Sequence, residues 1–280
     1  MKVISNFIAL ARLDKPVGIF LLFWPTFWAL LFATQGSIAL TDLLIFSLGV
    51  VITRSAGCVL NDLLDQDFDK TVNRTSNRPL ASKKIKTKDA IYFFLSLLFL
   101  AATLVYFINQ DAYILIFLAL ILLVIYPLSK RFFCIPQLFL AAAFSIPILI
   151  VYKHLGIALD KTSWTLFLAN FFWVMAYDTA YALADLPDDE KIEIYSAPKT
   201  FGKYVHKVIL SFYLFSSLLF LFLGQLTQFS MHYFVLILWL LLGIFYYYRK
   251  FVFIKKEYIN FFIKNNWLGL FWSVLFYYFL

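Results

Sequence analysis

Nine stretches of this 280-residue chain are each long and apolar enough to cross a bilayer, and little lies between them. A helix needs roughly 20 apolar residues to span the hydrocarbon. The runs fall at about 17–34, 43–60, 90–108, 112–128, 132–152, 163–182, 206–224, 231–248 and 262–280. They are apolar on every side, without the period-two alternation of a membrane barrel strand. Hydrophobic residues make up 63% of the chain. Charged residues make up 14%, against about 25% in an ordinary soluble domain. A globule of this size has no room to hide so much apolar surface. A soluble enzyme, a disordered chain and a nucleic-acid-binding protein are thereby excluded. The expected fold is all-α, a polytopic membrane protein of nine transmembrane helices forming one domain over residues 1–280. The last run is the weakest, because Asn265 and Asn266 lie just inside it.

The net charge of +8 gains meaning from its placement. Of 24 Lys and Arg residues, all but Arg54, Lys153 and Lys161 fall on one side when the nine runs alternate across the membrane. Cytoplasmic loops carry such an excess, so the N-terminus is expected in the cytoplasm. Cys58 and Cys134 lie in or beside apolar runs, which argues against a disulfide framework or a thiolate metal site. The first apolar run is too long for a cleavable signal, and no Arg/Ser-rich transit segment precedes Arg12. A bacterial inner membrane is the expected location, ahead of a mitochondrial one.

Acidic residues break the pattern. Of 16, eleven crowd the same cytoplasmic side in two clusters. The first reads NDLLDQDFDK (61–70), where Asn61, Asp65 and Asp69 are spaced i, i+4, i+8 and share one helix face, with Asp62 at its edge. Stacked carboxylates repel. A divalent cation removes that penalty, and oxygen donors suit Mg²⁺, which completes its shell with waters and substrate phosphates. The second cluster reads DTAYALADLPDD (178–189), with Asp185 and Asp189 again at i, i+4. Asp178 lies seven residues before Asp185, as Arg54 lies seven before Asn61. Each cluster therefore has a charge about two turns deeper on its own helix. Charges inside a membrane face an interior cavity by default, so the two helix ends suggest a pseudo-repeat around one site. The plainer alternatives are a solvated loop for the first cluster and a structural ion pair for Asp178.

Cations flank the same side. Arg74 and Arg78 follow the first cluster at i, i+4, and Lys130 and Arg131 follow Tyr126 in YPLSKR (126–131). Arginine and lysine beside a metal site suit a diphosphate. The plainer reading of these cations is headgroup attraction and topology, which is preferred for Lys83, Lys84, Lys86, Lys88, Lys255 and Lys256. The aromatic excess, 34 Phe, 17 Tyr and 7 Trp, serves as lipid-facing bulk or as the wall of an apolar cavity. His154, His206 and His232 show no ligand spacing.

At its two acidic clusters the chain resembles the UbiA family of membrane prenyltransferases. The family's first motif, Asn-Asp-x-x-Asp-x-x-x-Asp, is matched by Asn61, Asp62, Asp65 and Asp69. Its second, Asp-x-x-x-Asp, is matched by Asp185 and Asp189. The stretches 12–30, 57–82, 126–137 and 178–189 look like the 4-hydroxybenzoate branch. Leu186 and Pro187 stand where that branch usually has an arginine after the first acid, and Glu193 replaces a usual glycine. The resemblance implies nine helices around one cytoplasmic-side cavity. It implies Mg²⁺-dependent transfer of a polyprenyl group from polyprenyl diphosphate to 4-hydroxybenzoate, ortho to the hydroxyl, for ubiquinone synthesis. Asp65, Asp69, Asp185 and Asp189, aided by Asn61 and Asp62, then hold metal and diphosphate. Arg74, Arg78 and Lys130 neutralise the leaving group, and Tyr126 orients it. Arg54 is expected to bind the benzoate carboxylate, and Asp178 to orient the acceptor or take a proton. A family member with another acceptor, a transporter using the acids as an ion path, and an inactive lipid-binding scaffold remain alternatives.

Overall fold

A computed structural model of the chain describes residues 2–70, 75–189 and 194–280, apart from the side chains of Lys2, Asp188 and Asp189. Thirteen α-helices follow in order: α1 Lys2–Leu10, α2 Val17–Ala33, α3 Leu40–Leu64, α4 Gln66–Asp69, α5 Thr87–Val105, α6 Tyr113–Ser129, α7 Gln137–His154, α8 Lys161–Ala182, α9 Leu186–Asp189, α10 Ala197–Phe201, α11 Val205–Leu226, α12 Met231–Tyr248 and α13 Tyr258–Phe279. A π-helical turn, Arg249–Ile254, joins α12 towards α13. Among the described residues, nine helices have 17 residues or more, and they coincide with the nine apolar runs.

Six of the nine, counting their continuations, are long and apolar enough by themselves to cross a membrane. Helix α2 is apolar but shorter. Helices α8 and α13 stand outside the six because they carry Asn170, Asp178, Lys264, Asn265 and Asn266. Their polarity has a physical reason. Helix α8 packs on α7, α11, α13 and α2, so protein rather than lipid covers it. Asn265 is buried and accepts from Trp173 Nε1 at 3.0 Å and Tyr213 Oη at 2.8 Å, while its own amide donates to the Phe261 carbonyl at 3.0 Å. Asn266 accepts from Trp24 Nε1 at 2.6 Å. The asparagines that weaken the last run therefore tie α13 to α8, α11 and α2.

Helix ends follow local chemistry. Gln35 and Gly36 take positive φ after α2, and the Gly36 N–H closes onto the Leu31 carbonyl at 2.9 Å. Asp160 and Ser163 form a reciprocal capping box at the start of α8. The main core joins α2, α7, α8, α11 and α13, with Trp28, Trp173, Phe220, Trp272 and Phe276 at its centre. A smaller core joins α1, α3, α5 and the 80–85 segment through Leu10, Val59, Leu80 and Leu97. A cavity of about 1490 Å³ lies between the two, walled mainly by α2, α3, α5, α6 and α7.

Candidate active site

Helix α3 carries Arg54, Cys58, Asn61 and Asp62, all of which line the cavity. The expected single helix through Asp69 is interrupted: α3 stops at Leu64 and α4 begins at Gln66. The break preserves the stacking. The Asp65 N–H donates to the Asn61 carbonyl at 2.9 Å, and the Asp69 N–H to the Asp65 carbonyl at 2.8 Å.

Asp62, Asp65 and Asp69 are buried, and buried carboxylates are stable only when paired. Arg12 Nη2 donates to both oxygens of Asp62, at 2.8 and 2.9 Å. Arg78 Nη1 bridges Asp62 at 3.1 Å and Asp69 at 2.7 Å. Lys130 Nζ donates to Asp65 at 2.9 Å and to the Asn61 amide oxygen at 3.3 Å. Burial is the largest influence on Lys130 and opposes its charge, but the Asp65 carboxylate and Tyr126 together outweigh it and raise the lysine above its ordinary pKa. Lys130 also lies 5.7 Å from the centre of the Tyr126 ring. Its neighbour Arg131 donates to the Leu64 carbonyl at 2.8 Å, bracing the end of α3.

The second motif arrives differently from its spacing. Helix α8 ends at Ala182, and a turn intervenes before α9, so Asp178 and Asp185 do not share one continuous helix. Both still line the cavity. Asp178 is buried and faces the charges of Lys130, Arg54 and Asp185. The Tyr195 N–H donates to the Lys130 carbonyl at 2.7 Å, drawing the second loop onto the first cluster.

Arg54 sits below this network on α3, with its guanidinium 5.6 Å from the centre of the Phe144 ring. It makes no side-chain hydrogen bond or close ion pair among the described residues, and its Nε is buried without a partner. The Tyr177 hydroxyl nearby is likewise buried and unpartnered. An unpaired cation at membrane depth is costly. An anion entering the cavity relieves that cost.

The donors at the acidic end of the cavity are oxygens, as a hard divalent cation requires. Among the described residues no three acidic, histidine or cysteine side chains converge on one point. Mg²⁺ usually binds one or two carboxylates together with substrate phosphates and waters. The residues therefore fit a metal held jointly with a diphosphate rather than an all-protein cage.

Residues 22–275 match the model of the UbiA prenyltransferase family. The chain belongs to that family. It is 40% identical to the 4-hydroxybenzoate octaprenyltransferase of Aeromonas hydrophila, over 94% of this chain and 92% of that protein. It is 39% identical to the enzyme of the same name from Francisella tularensis subsp. novicida, over 95% and 94%. A UbiA homolog from Aeropyrum pernix has the same fold, with a TM-score of 0.78 at 20% identity over 92% of this chain and 96% of that one. A UbiA homolog from Archaeoglobus fulgidus bound to GPP and Mg²⁺ aligns with a TM-score of 0.75 at 18% identity, over 98% and 97%.

In this UbiA-family chain the structure brings Arg54, Asn61, Asp62, Arg78, Tyr126, Lys130, Asp178 and Asp185 to one cavity. Asp65 and Asp69 join through Lys130 and Arg78. Arg74 lies outside the described residues, as do the side chain of Asp189 and all of Glu193. Sequence reasoning missed Arg12, reading it only as an orientation signal. Its φ of 58° turns the chain at the end of α1, and its Nη1 donates to the Ala9 carbonyl at 2.8 Å. Fifty residues separate it from Asp62, so no local pattern announces the pair.

Proposed function

We propose that the chain transfers a polyprenyl group from polyprenyl diphosphate to the ring of 4-hydroxybenzoate, in a bacterial inner membrane and from the cytoplasmic side. The single observation that carries this reading is the unpaired Arg54 guanidinium, set in the cavity wall below a carboxylate–cation cluster. The cluster suits a diphosphate and Arg54 suits a small carboxylate, so two anionic substrates meet end to end. The relatives named as 4-hydroxybenzoate octaprenyltransferases support the choice of acceptor.

Arg78 and Lys130 bind the diphosphate by turning from Asp69 and Asp65 to the phosphate oxygens. With their cations turned away, Asp65 and Asp69 would hold Mg²⁺ with Asn61 and Asp185, and with Asp62 in support. Arg74 and Asp189 enter the same assignment through the motif they match. When bound, Mg²⁺ supplies positive charge against which the diphosphate can leave. The allylic C1–O bond breaks, the diphosphate departs with the electron pair, and Lys130 and Arg78 stabilise its growing charge. Tyr126, beneath Lys130, orients the leaving end. Phe144, Leu123, Tyr181 and Phe262 line the cavity and exclude water, and the three aromatic residues offer ring faces to the allylic cation. Arg54 holds the benzoate carboxylate and so aims the ring carbon ortho to the hydroxyl at that cation. The new carbon–carbon bond forms there, and Asp178 takes the proton this carbon loses. The apolar walls of α5 and α6 receive the isoprenoid tail.

The test is turnover of 4-hydroxybenzoate with a short prenyl diphosphate and Mg²⁺ in detergent. The expected product carries one prenyl group in place of one ring hydrogen. EDTA stops its formation and added Mg²⁺ restores it. Absence of product from well-folded protein sinks the proposal.

A further inference from the structure

Arg54 reaches the cavity through a gap that one backbone atom group leaves open. Gly18 stands at the second position of α2, in the first helical turn after Pro16. A Cβ built there would lie 2.7 Å from Arg54 Nε, 2.8 Å from Nη2 and 3.2 Å from Cζ. The guanidinium thus turns its Nε–Nη2 edge to the bare backbone of α2, and its Cζ lies 5.6 Å from the centre of the Phe144 ring of α7. The conformation of Gly18 does not call for glycine. Its backbone is helical and without the positive φ seen at Gly36 or Gly156, and alanine is the better helix former. The three atoms nearest to a Cβ at this position all belong to Arg54.

We infer that Gly18 is a positioning residue for acceptor recognition: with Phe144 it forms a slot that holds the Arg54 guanidinium in the orientation that receives a carboxylate. The inference rests on the proposed role of Arg54. The slot explains how the cation can hold one orientation with no hydrogen bond to the protein. Nε, which has no partner, and Nη2 both face α2 at Gly18, so the donors left for a ligand are those of Nη1 and the outward side of Nη2. A methyl group at Gly18 meets the free end of a flexible side chain, not backbone. The arginine head therefore yields, and the helix stays. Moving from 2.7 Å to an ordinary 3.4 Å contact displaces the guanidinium by roughly 0.7 Å. Misplacement near 1 Å at a substrate-positioning group is worth about 100-fold in rate.

The experiment compares wild type, Gly18→Ala, Arg54→Ala and the double variant at saturating prenyl diphosphate. It measures KM for 4-hydroxybenzoate and the inhibition constant of uncharged 4-hydroxybenzamide, with detergent melting temperature as the fold control. Gly18→Ala is expected to raise KM for the acid about tenfold to 100-fold, to leave amide inhibition within about twofold, and to keep the melting temperature. In the Arg54→Ala background, where the head is gone, adding Ala at 18 is expected to change nothing further. Equal losses for acid and amide, or additive losses in the double variant, overturn the inference. Should Gly18→Ala fail to fold, the double variant must fold and behave as Arg54→Ala, or the inference fails. If Arg54→Ala loses preference for the acid and Gly18→Ala does not, the slot is wrong and the role of Arg54 stands. If neither variant loses it, the role of Arg54 itself is wrong.

Discussion

Asp62 is nearly sealed from solvent and shares its charge between Arg12 and Arg78. Removing one partner of a buried carboxylate is expensive, of order 3 kcal/mol where no second partner remains. Arg12→Ala leaves Arg78 in place, so a smaller loss of about 1–2 kcal/mol is expected, read as a lower melting temperature in detergent. The same variant should need more Mg²⁺ for half-maximal turnover, because Asp62 is then drawn wholly to Arg78 and the Arg78–Asp69 pair is disturbed. An unchanged Mg²⁺ requirement would show that Arg12 serves only the fold. Asp65→Ala should abolish turnover at every Mg²⁺ concentration, measured by product formation; near-normal activity removes Asp65 from the metal assignment. Asn61, Asp62, Asp65 and Asp69 were legible as a candidate site because they are adjacent in sequence at helical spacing. Arg12 was not, because its partner lies fifty residues away. Gly18 was not, because absence of a side chain carries no signal until the arginine that fills the space is located.

At the scale of elements, the two motifs enter the site by different routes. The first arrives on the end of α3, whose turn pattern continues across Asp65 into α4. The second is delivered by a turn after α8, which spacing alone does not separate from a continued helix. The polar residues within α8, α11 and α13 hold these helices in register. Asn265→Leu removes the acceptor shared by the Trp173 and Tyr213 donors, leaving two buried donors unmet. A stability loss of about 2–4 kcal/mol is expected, visible as a melting shift. Combining it with Trp173→Phe and Tyr213→Phe should recover part of that loss, because the unmet donors are then gone. Full additivity of the three changes would refute the shared-acceptor account.

Across the whole molecule, the asymmetry of charge predicts which face meets the cytoplasm. The exposed Cys134 follows Lys130 and Arg131 on the basic side, whereas Cys58 is buried in α3. A membrane-impermeant maleimide should therefore label Cys134 in inside-out vesicles and not in intact spheroplasts, with Cys134→Ser as the control. The opposite pattern would invert the topology. The sequence by itself determined an all-helical membrane fold, its nine apolar segments, its basic face and the acidic motifs, because bilayer thickness and helical periodicity act on neighbouring residues. Only the tertiary structure decided which cations Asp62, Asp65 and Asp69 take, that Arg54 has no hydrogen-bond partner among the described residues, and that Gly18 makes room for it. Those outcomes depend on helices far apart in the chain, whose packing sets distances that no local pattern encodes. They also arise where burial makes every unpaired charge expensive.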